Sequence, residues 1–436
     1  MNLAALATVA ACIGGFCGSP AVAQQVGLTA ITTFGSNGWL APGSNDYLAE
    51  NVAGRFYRGL AYNPVTKNLI LVSRTNATVS GSSTSNNIVV LNGTTGVVSG
   101  TLSPSGISGG TFPINMAGVG DDGQVYVANL QAGATSTTAN FFKVYKWENE
   151  TTTNAPSLAF QVAVPFSQSG TNPNFATGWR FGDAFAVRGS GTSTRFIAAG
   201  STSGSSSGNI NNSNFMLGSL DSSNFNTIYR TISATNSSAS NNGYRLGLTW
   251  KDDDTIIGLA GGPALVTDFV TTGSGQTTSN ATVVAGIVSG TNTSFGGNTN
   301  NRVIDYLDMG GRQYAATVAA NFGGMNVVQV YDISSGTNAV LMAQQNLTSG
   351  TWSNPDGTGS IAFAKNQVSI QDGFWFSVPL YTLNTNNGIQ AMVFTVPEPS
   401  TWAMVATGAG LSGLAGYRRR SRRRSRLQGE CLDSSV

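Results

Sequence analysis

A strand–turn–strand unit recurs six times along this chain, and the repeat limits the fold more than any other feature of the sequence. Each unit has two short apolar runs joined by a turn rich in Gly, Asn or Asp, the residues that tight hairpins require. Successive units begin about sixty residues apart, which is typical of a repeat architecture. The hairpins pair Gly59–Tyr62 with Leu69–Ser73, Met116–Val119 with Gln124–Ala128, Ala184–Val187 with Arg195–Ala199, Leu246–Trp250 with Thr255–Leu259, Val303–Leu307 with Gln313–Thr317, and Gln367–Ile370 with Phe374–Val378.

A third apolar run follows each hairpin and a fourth follows five of them, so the repeating unit has four strands. Pro397 ends the pattern after the sixth unit, but the run Leu28–Phe34 ahead of the first hairpin has strand character and would complete the last sheet. Residues 24–396 are therefore predicted to form an all-β domain, a six-bladed β-propeller closed by its N-terminal strand. A β-helix or a pair of β-sandwiches is the alternative. The third runs are Ile88–Leu91, Phe142–Trp147, Phe215–Leu220, Ala264–Phe269, Val327–Ile333 and Ile389–Val396.

Charge argues against a nucleic-acid partner. Only 10% of the residues are charged, far below the roughly 25% of ordinary soluble proteins. The last forty residues hold seven arginines and three acidic residues, and without them 15 basic and 17 acidic residues remain. No basic face is left to bind RNA or DNA.

The chain has no histidine, and its three cysteines, Cys12, Cys17 and Cys431, lie outside the repeat. Disulfides therefore cannot stabilise the repeat domain. The absence of histidine removes the commonest general base, the commonest zinc ligand and every Ser–His or Cys–His pair. With no recognisable catalytic motif either, the sequence predicts that the chain is not an enzyme and needs no cofactor.

Residues 1–23 have a pattern that is typical of a secretory signal peptide. The segment Leu3–Cys17 is apolar, and a break at Ser19-Pro20 is followed by Ala21-Val22-Ala23, which predicts cleavage by signal peptidase between Ala23 and Gln24. No Lys or Arg precedes the apolar run, which is unusual for a signal peptide. A buried core helix, or a lipoprotein signal ending at Cys12, is the alternative.

The C-terminus carries three features in order: a Pro-Glu-Pro motif, an uncharged apolar segment and an arginine cluster. The prolines at 397 and 399 stop a strand and hold the chain extended. Trp402–Tyr417 is slightly short of a full bilayer span, and its two terminal aromatics suit the membrane interfaces. Positive charge stays in the cytoplasm, which puts the body of the protein outside. The charged flank is Arg418, Arg419, Arg420, Arg422, Arg423 and Arg424, followed by Arg426.

This ordered triplet resembles the PEP-CTERM sorting signal of exported bacterial proteins. The resemblance covers residues 397–426 and implies that an exosortase, a membrane cysteine protease-transpeptidase, recognises Pro397, Glu398 and Pro399. It also implies a Gram-negative source, a transmembrane sorting helix, a transient stay in the inner membrane, and final sorting to the cell surface or an exopolysaccharide matrix. The polar extension 427–436 departs from the pattern, and a plain tail anchor without processing is the alternative.

A second resemblance concerns the repeat itself. The stretches Arg58–Arg74 and Gly109–Leu130 resemble an uncharacterised propeller-like domain of other exported bacterial proteins. This resemblance supports the fold and implies no activity.

Two acidic turns are the candidates for a metal site. Asp121-Asp122-Gly123 and Asp252-Asp253-Asp254 both fall between the first two strands of a unit. Their carboxylates could bind calcium, which extracellular proteins meet at high concentration. The alternative is that Asp and Gly serve only the geometry of the turns.

Three arginines, Arg58, Arg180 and Arg245, each precede the first strand of a unit and sit beside Tyr or Trp. Equivalent positions in successive blades point to one end of the ring, where guanidinium groups could grip a sugar acid or sulfate. The alternative is that each arginine links neighbouring blades. Asp183 and Asp305 could serve acid–base chemistry on a glycan if they faced one cavity.

The sequence thus predicts an exported protein of the surface or extracellular matrix whose propeller is structural or binds a glycan or protein partner. The alternative function is a secreted propeller enzyme that acts on polysaccharide as a lyase or glycosidase.

Overall fold

A computed structural model describes residues 26–48, 56–74, 77–79, 82–84, 86–131, 140–151, 153–164, 179–202, 212–220, 229–235, 244–259, 263–269, 275–288, 300–320, 327–346, 354, 358–372 and 375–397. These residues form a six-bladed β-propeller and contain no α-helix, only two 3₁₀ turns at Gly191–Ser193 and Lys365–Gln367. Within this part of the chain, no helix is long and apolar enough to cross a membrane.

The N-terminal segment and the first two blades account for twelve strands. Two short strands, β1 (Gly27–Ala30) and β2 (Trp39–Leu40), precede the first blade and pair with the last strand of blade 6. A small hairpin of two strands, β5 (Ala77–Val79) and β6 (Ser82–Thr84), lies between the second and third strands of blade 1. The sheet order is β3-β4-β7-β8 in blade 1 and β9-β10-β11-β12 in blade 2. The bounds are β1 Gly27–Ala30, β2 Trp39–Leu40, β3 Tyr57–Tyr62, β4 Asn68–Ser73, β5 Ala77–Val79, β6 Ser82–Thr84, β7 Asn87–Asn92, β8 Val98–Leu102, β9 Phe112–Val119, β10 Val125–Leu130, β11 Asn140–Trp147 and β12 Ser157–Val164.

Blades 3 and 4 share one continuous sheet. The outer strand of blade 3 pairs in parallel with the first half of the long outer strand of blade 4, with Arg230 opposite Gly275, and the second half of that strand returns to its own blade. The bounds are β13 Trp179–Arg188, β14 Arg195–Thr202, β15 Asn212–Ser219 and β16 Tyr229–Thr235 in blade 3, and β17 Gly247–Trp250, β18 Thr255–Leu259, β19 Pro263–Asp268 and β20 Gly275–Val288 in blade 4.

Blade 6 is closed by the N-terminus, as the sequence predicts. Strand β1 pairs antiparallel with the last strand of the blade, with Leu28 opposite Phe394, and β2 pairs with the same strand further down. The bounds are β21 Asn300–Met309, β22 Arg312–Ala320, β23 Val327–Asp332 and β24 Val340–Asn346 in blade 5, and β25 Gly359–Phe363, β26 Ser369–Gln371, β27 Trp375–Asn384 and β28 Gly388–Pro397 in blade 6.

The predicted inner strand of the sixth unit is wrong. Residues 369–371 do pair with β27, but as a short exposed appendage in which Ile370 is 58% exposed. The inner strand is β25, whose residues Ile361 and Phe363 are buried. The error came from the apolar pattern, because the sequence Gly-Ser-Ile-Ala-Phe has too few apolar residues to stand out as a strand.

The strands are apolar on both faces because each blade packs between two others. In β4, Leu69 and Leu71 pack toward blade 6, whereas Ile70 and Val72 pack toward blade 2. Full burial of each such side chain contributes roughly 1.5–3 kcal/mol. Some blades approach so closely that only glycine fits: a Cβ on Gly59 would lie 2.6 Å from the backbone nitrogen of Ala117 in blade 2.

The inner strands β3, β9, β13, β17, β21 and β25 surround a central channel and run in the same direction along it. We call the end where they finish the mouth face. It carries the turns between the first and second strands of the blades, over 63–67, 120–124, 189–194, 251–254, 310–311 and 364–372. The opposite end, where the inner strands begin, is the base face, and residues 103–111 lie there.

Candidate functional site

A cavity of about 550 Å³ occupies the channel at the mouth face. This volume falls within the range of small-molecule sites. Its wall is largely apolar, and a few polar side chains converge on it from five blades, which is the usual composition of a ligand pocket. The polar lining residues are Tyr62, Asp121, Thr249, Asp305, Lys365 and Asn366.

A ring of six apolar side chains, one from each blade, forms the floor of this cavity. The same six residues roof a much smaller cavity of about 50 Å³ on the base side. All six are at most 8% exposed, so within the described part of the chain their side chains constrict the channel between the two cavities. The ring consists of Leu60, Ala117, Phe185, Leu248, Ile304 and Ile361.

Asp305 is the most connected polar group of the cavity wall. Its Oδ1 accepts hydrogen bonds from Thr249 Oγ1 at 3.0 Å and from Lys365 Nζ at 3.1 Å, and its Oδ2 accepts one from the Phe363 amide at 2.8 Å. The carboxylate is 7% exposed and joins blades 4, 5 and 6. The Lys365 side chain is about half exposed and reaches this carboxylate from the rim of the cavity.

Tyr62 lines the cavity from blade 1. Its ring stacks on Tyr381 with centroids 5.9 Å apart, and its hydroxyl donates to Asn366 Oδ1 at 2.9 Å and accepts from Gln367 Nε2 at 2.5 Å. Burial raises the pKa of Tyr62, and the two amide partners oppose that rise. The phenol therefore stays protonated and fixes the rim between blades 1 and 6.

The acidic turn of blade 2 is used to hold blade 3. Asp121 Oδ2 accepts from the Gly189 amide at 3.0 Å, and Asp122 Oδ2 accepts from the Gly191 amide at 2.9 Å. Asp122 Oδ1 also accepts from the Gln124 amide within its own turn. Asp121 lines the cavity.

The acidic turn of blade 4 is also occupied by protein partners. Asp253 Oδ1 lies 3.0 Å from Arg188 Nε and 3.2 Å from an Arg195 terminal nitrogen, both in blade 3. Asp252 Oδ1 accepts from the Asp254 amide at 3.0 Å. Within the part of the chain that the structure describes, no group of three or more His, Cys, Asp or Glu side chains is placed to hold a metal ion.

Polar contacts at the mouth face therefore bridge every pair of neighbouring blades. Sequence reasoning missed Asn63 and Asn366 in this set. Asn63 opens the turn of the first predicted hairpin, which was a signal that could have found it, whereas Asn366 precedes the wrongly predicted inner strand of the sixth unit. In ring order from blades 1 and 2 to blades 6 and 1, the contacts are Asn63 with Gly123, Gly189 with Asp121, Arg188 with Asp253, Thr249 with Asp305, Phe363 with Asp305, and Tyr62 with Asn366.

The arginine candidates lie at the base end of the inner strands, away from the cavity. Arg245 Nε is 3.0 Å from Asp183 Oδ2 of the neighbouring blade, and the Asp183 side chain is only 3% exposed. Arg58 is buried in β3, and Ser360 Oγ of blade 6 donates to its carbonyl at 3.2 Å. Arg180 lies in β13, and its side chain is outside the described part of the structure.

The structure also separates Asp183 from Asp305. Asp305 lines the mouth cavity, whereas Asp183 precedes Ala184, which lines the small cavity beneath the ring. The carboxylate that accompanies Asp305 at the mouth is instead Asp121.

Most of the predicted export residues lie outside the described part of the chain. Pro397 is described and forms the last position of β28, opposite Trp375. The rest are Ala21, Ala23 and Gln24 of the predicted cleavage site, Glu398 and Pro399 of the motif, and the predicted anchor residues Trp402, Tyr417, Arg418, Arg419, Arg420, Arg422, Arg423 and Arg424.

Comparison with protein families confirms the sorting signal. A family model described as the PEP-CTERM protein-sorting motif matches residues 395–423. The chain is thus an exported protein that passes through a membrane-anchored sorting intermediate and is processed by an exosortase. No curated protein matches the chain.

Comparison with solved structures finds neuraminidase-like folds. A neuraminidase-like protein from A/bat/Guatemala/164/2009 is 10% identical, covers 85% of this chain and 95% of its own, and has a TM-score of 0.46. A subtype N10 neuraminidase-like protein of A/little yellow-shouldered bat/Guatemala/060/2010 is 11% identical, with coverage of 79% and 98% and a TM-score of 0.40. A Trypanosoma rangeli sialidase in complex with 2,3-difluoro-KDN is 11% identical, with coverage of 78% and 53% and a TM-score of 0.41.

These neighbours correct the prediction that the chain is not an enzyme, since the folds that it resembles include a sialidase. That prediction gave too much weight to the absence of histidine, because glycoside cleavage relies on carboxylates and, in sialidases, on a tyrosine. At 10–11% identity the likeness bears on the fold and assigns no reaction to this chain.

Proposed function

We propose that this exported, PEP-CTERM-sorted propeller binds a saccharide unit of an extracellular polysaccharide in its mouth cavity. The cavity carries the proposal: it is about 550 Å³, constricted below by the apolar ring and lined above by hydroxyl, amide, amine and carboxylate groups. Sugars present a hydroxylated edge and an apolar face, and such a lining matches both.

The polar groups of the cavity are held in place before any ligand arrives. Asp305 is fixed by three donors, and Asn366 is fixed by Tyr62. A site whose side chains are already ordered loses less conformational entropy on binding. Saccharide hydroxyls would then form hydrogen bonds with Lys365 and Asn366 at the rim of the cavity.

A glycan array probed with the exported protein tests this function. We expect saturable binding that Lys365→Ala weakens by roughly tenfold, the size of one lost hydrogen bond to a charged group. Lys251→Ala is the matched control, because Lys251 lies on the same face outside the cavity lining and should leave the affinity unchanged. No binding to any glycan, or equal losses in the two variants, would refute the proposed site.

Glycoside hydrolysis is the second candidate, and the observation that favours it is that Asp121 and Asp305 line the same cavity. Hydrolysis of a glycosidic bond needs one carboxyl group to protonate the leaving oxygen and a second to act as nucleophile or to activate water. Asp121 is the exposed member of this pair and Asp305 is the buried one.

Release of reducing ends from bound polysaccharide tests the second candidate. Product formation that Asp121→Asn abolishes, with binding retained, supports it. Tight binding with no new reducing ends leaves the binding function standing and eliminates hydrolysis.

A further inference from the structure

The last strand of the propeller leads directly to the mouth face. Strand β28 starts at Gly388, near the base, and its residue Met392 lies opposite Leu380, which in turn lies opposite Phe363 of the cavity wall. Pro397 is five residues further along the same strand. At about 3.3 Å per residue, the strand ends some 16 Å beyond the level of Phe363 on the mouth side.

The other end of the described body lies on the same side. Gly27, where β1 begins, is opposite Thr395, near the end of β28. Both ends of the propeller therefore leave from the mouth face, and the base face carries neither of them.

The connection from the propeller to the predicted membrane segment is short. Only residues 398–401 separate Pro397 from Trp402, the first residue of the apolar segment. Even fully extended, the five steps along the chain from Pro397 to Trp402 span at most about 18 Å. Two prolines at spacing two further restrict how far this connection can bend.

We propose that the mouth face is apposed to the outer surface of the inner membrane while the chain is anchored there. The short connection and the direction of β28 impose this orientation. The turns of that face carry exposed aspartates such as Asp121 and Asp122 and also exposed cations such as Lys67 and Lys365, so charge of one sign does not draw it to the headgroups and the tether holds it there.

This orientation has a consequence for ligand access, which rests on the proposed function. The apolar ring constricts the channel on the base side, so among the described residues the wide opening of the cavity lies at the mouth and faces the bilayer in the anchored form. A long polymer would reach the cavity freely only after processing at the sorting motif separates the propeller from the membrane.

Fluorescence quenching in nanodiscs tests the orientation without any ligand. The full chain from Gln24, with Cys431→Ser, is labelled with bimane at Thr192→Cys on the mouth face or at Ser105→Cys on the base face; both positions are exposed turn residues. The two faces lie about 30 Å apart, the length of a ten-residue strand. Spin-labelled lipid headgroups should quench the Thr192→Cys label several times more strongly than the Ser105→Cys label.

A linker variant is the control. Twenty Gly/Ser residues inserted between Pro399 and Ser400 extend the tether by a flexible coil and should make quenching at the two positions equal. Equal quenching without the insertion, or stronger quenching at the base position, would overturn the orientation. A mouth-face preference that survives the insertion would also overturn it, because direct adsorption would then be its cause.

The quenching measurements do not depend on glycan binding. The orientation can therefore fail while the proposed function stands, and the reverse is equally true.

Discussion

Asp305 of the fifth blade accepts a hydrogen bond at 2.8 Å from the backbone amide of Phe363 in the sixth blade. The same carboxylate accepts a hydrogen bond from the Thr249 hydroxyl of the fourth blade. One side chain therefore fixes the spacing of three inner strands around the cavity, and its structural role can be measured apart from any role in binding.

Replacing this carboxylate should destabilise the propeller. Asp305→Ala leaves the buried Phe363 amide and the Thr249 hydroxyl without their acceptor, which should lower the free energy of unfolding by about 2–3 kcal/mol. Urea unfolding followed by circular dichroism measures this change. Asp308→Ala is the control, because Asp308 lies on the same strand with an exposed side chain and should change stability by less than about 0.5 kcal/mol. Equal losses in the two variants would contradict the role of Asp305.

The Arg245–Asp183 pair should act as a link between blades 3 and 4. Arg245→Ala removes one charged partner from a carboxylate that is only 3% exposed and should cost about 1–3 kcal/mol of stability. Because the pair lies at the base end, glycan affinity at the mouth should not change. Thermal unfolding of the variant measures the loss of stability, and glycan-array binding of the same variant measures its affinity. Unchanged stability together with lost binding of uronic acids would instead favour a ligand site made by the arginines.

Closure of the ring by β1 should be needed for full stability. Leu28 is 7% exposed and packs into the core between blades 5 and 6, so Leu28→Ala should cost about 2–4 kcal/mol. Thr29→Ala, one residue along the same strand with an exposed side chain, should cost far less. Denaturant unfolding of the two variants tests this, and similar midpoints would show that β1 adds little to the sheet.

The repeat pattern predicted the fold because strands of a propeller are buried on both faces. Runs such as Leu69–Ser73 are therefore apolar at nearly every position and stand out from the Ser/Thr/Asn loops. The apolar pattern did not identify β25, because this strand begins with Gly359 and Ser360. The segment that ends at Ile370 was predicted as the inner strand of blade 6 instead, although Ile370 is exposed. Apolar pattern alone could not show which strand faced the channel.

The cavity could be predicted only in part. Asp121 was singled out for its acidic turn and Asp305 for its place early in a unit, but their joint presence at one cavity depends on how the turns of separate blades converge. Lys365 and Asn366 follow β25, the inner strand that the apolar pattern missed, so their role was hidden. Long-range closure of a ring brings together residues such as Tyr62 and Asn366 that lie three hundred positions apart, and no local pattern records that proximity.

Alkaline pH should weaken the propeller through its buried tyrosines. Burial raises the pKa of Tyr126, Tyr306 and Tyr314 to about 12, and nearby aspartates such as Asp308 and Asp332 add to the rise. In the unfolded chain the pKa returns to about 10. The folded state then holds these protons more tightly, so their contribution to stability is complete below pH 10 and is lost as the pH rises through 12.

The free energy of unfolding, measured in urea at a series of pH values, should therefore be insensitive to these tyrosines up to about pH 9 and fall between about 10 and 12. Phenolate absorbance should increase together with the loss of circular dichroism rather than ahead of it, because ionisation requires exposure of the rings. Burial also raises the pKa of Tyr57, Tyr244 and Tyr381, so Tyr306→Phe removes one of six such phenols and should make the alkaline fall shallower by about a sixth. An unchanged slope in this variant, or phenolate absorbance complete by pH 11 in the folded protein, would show that these rings are more accessible to water than their burial of 94% or more implies.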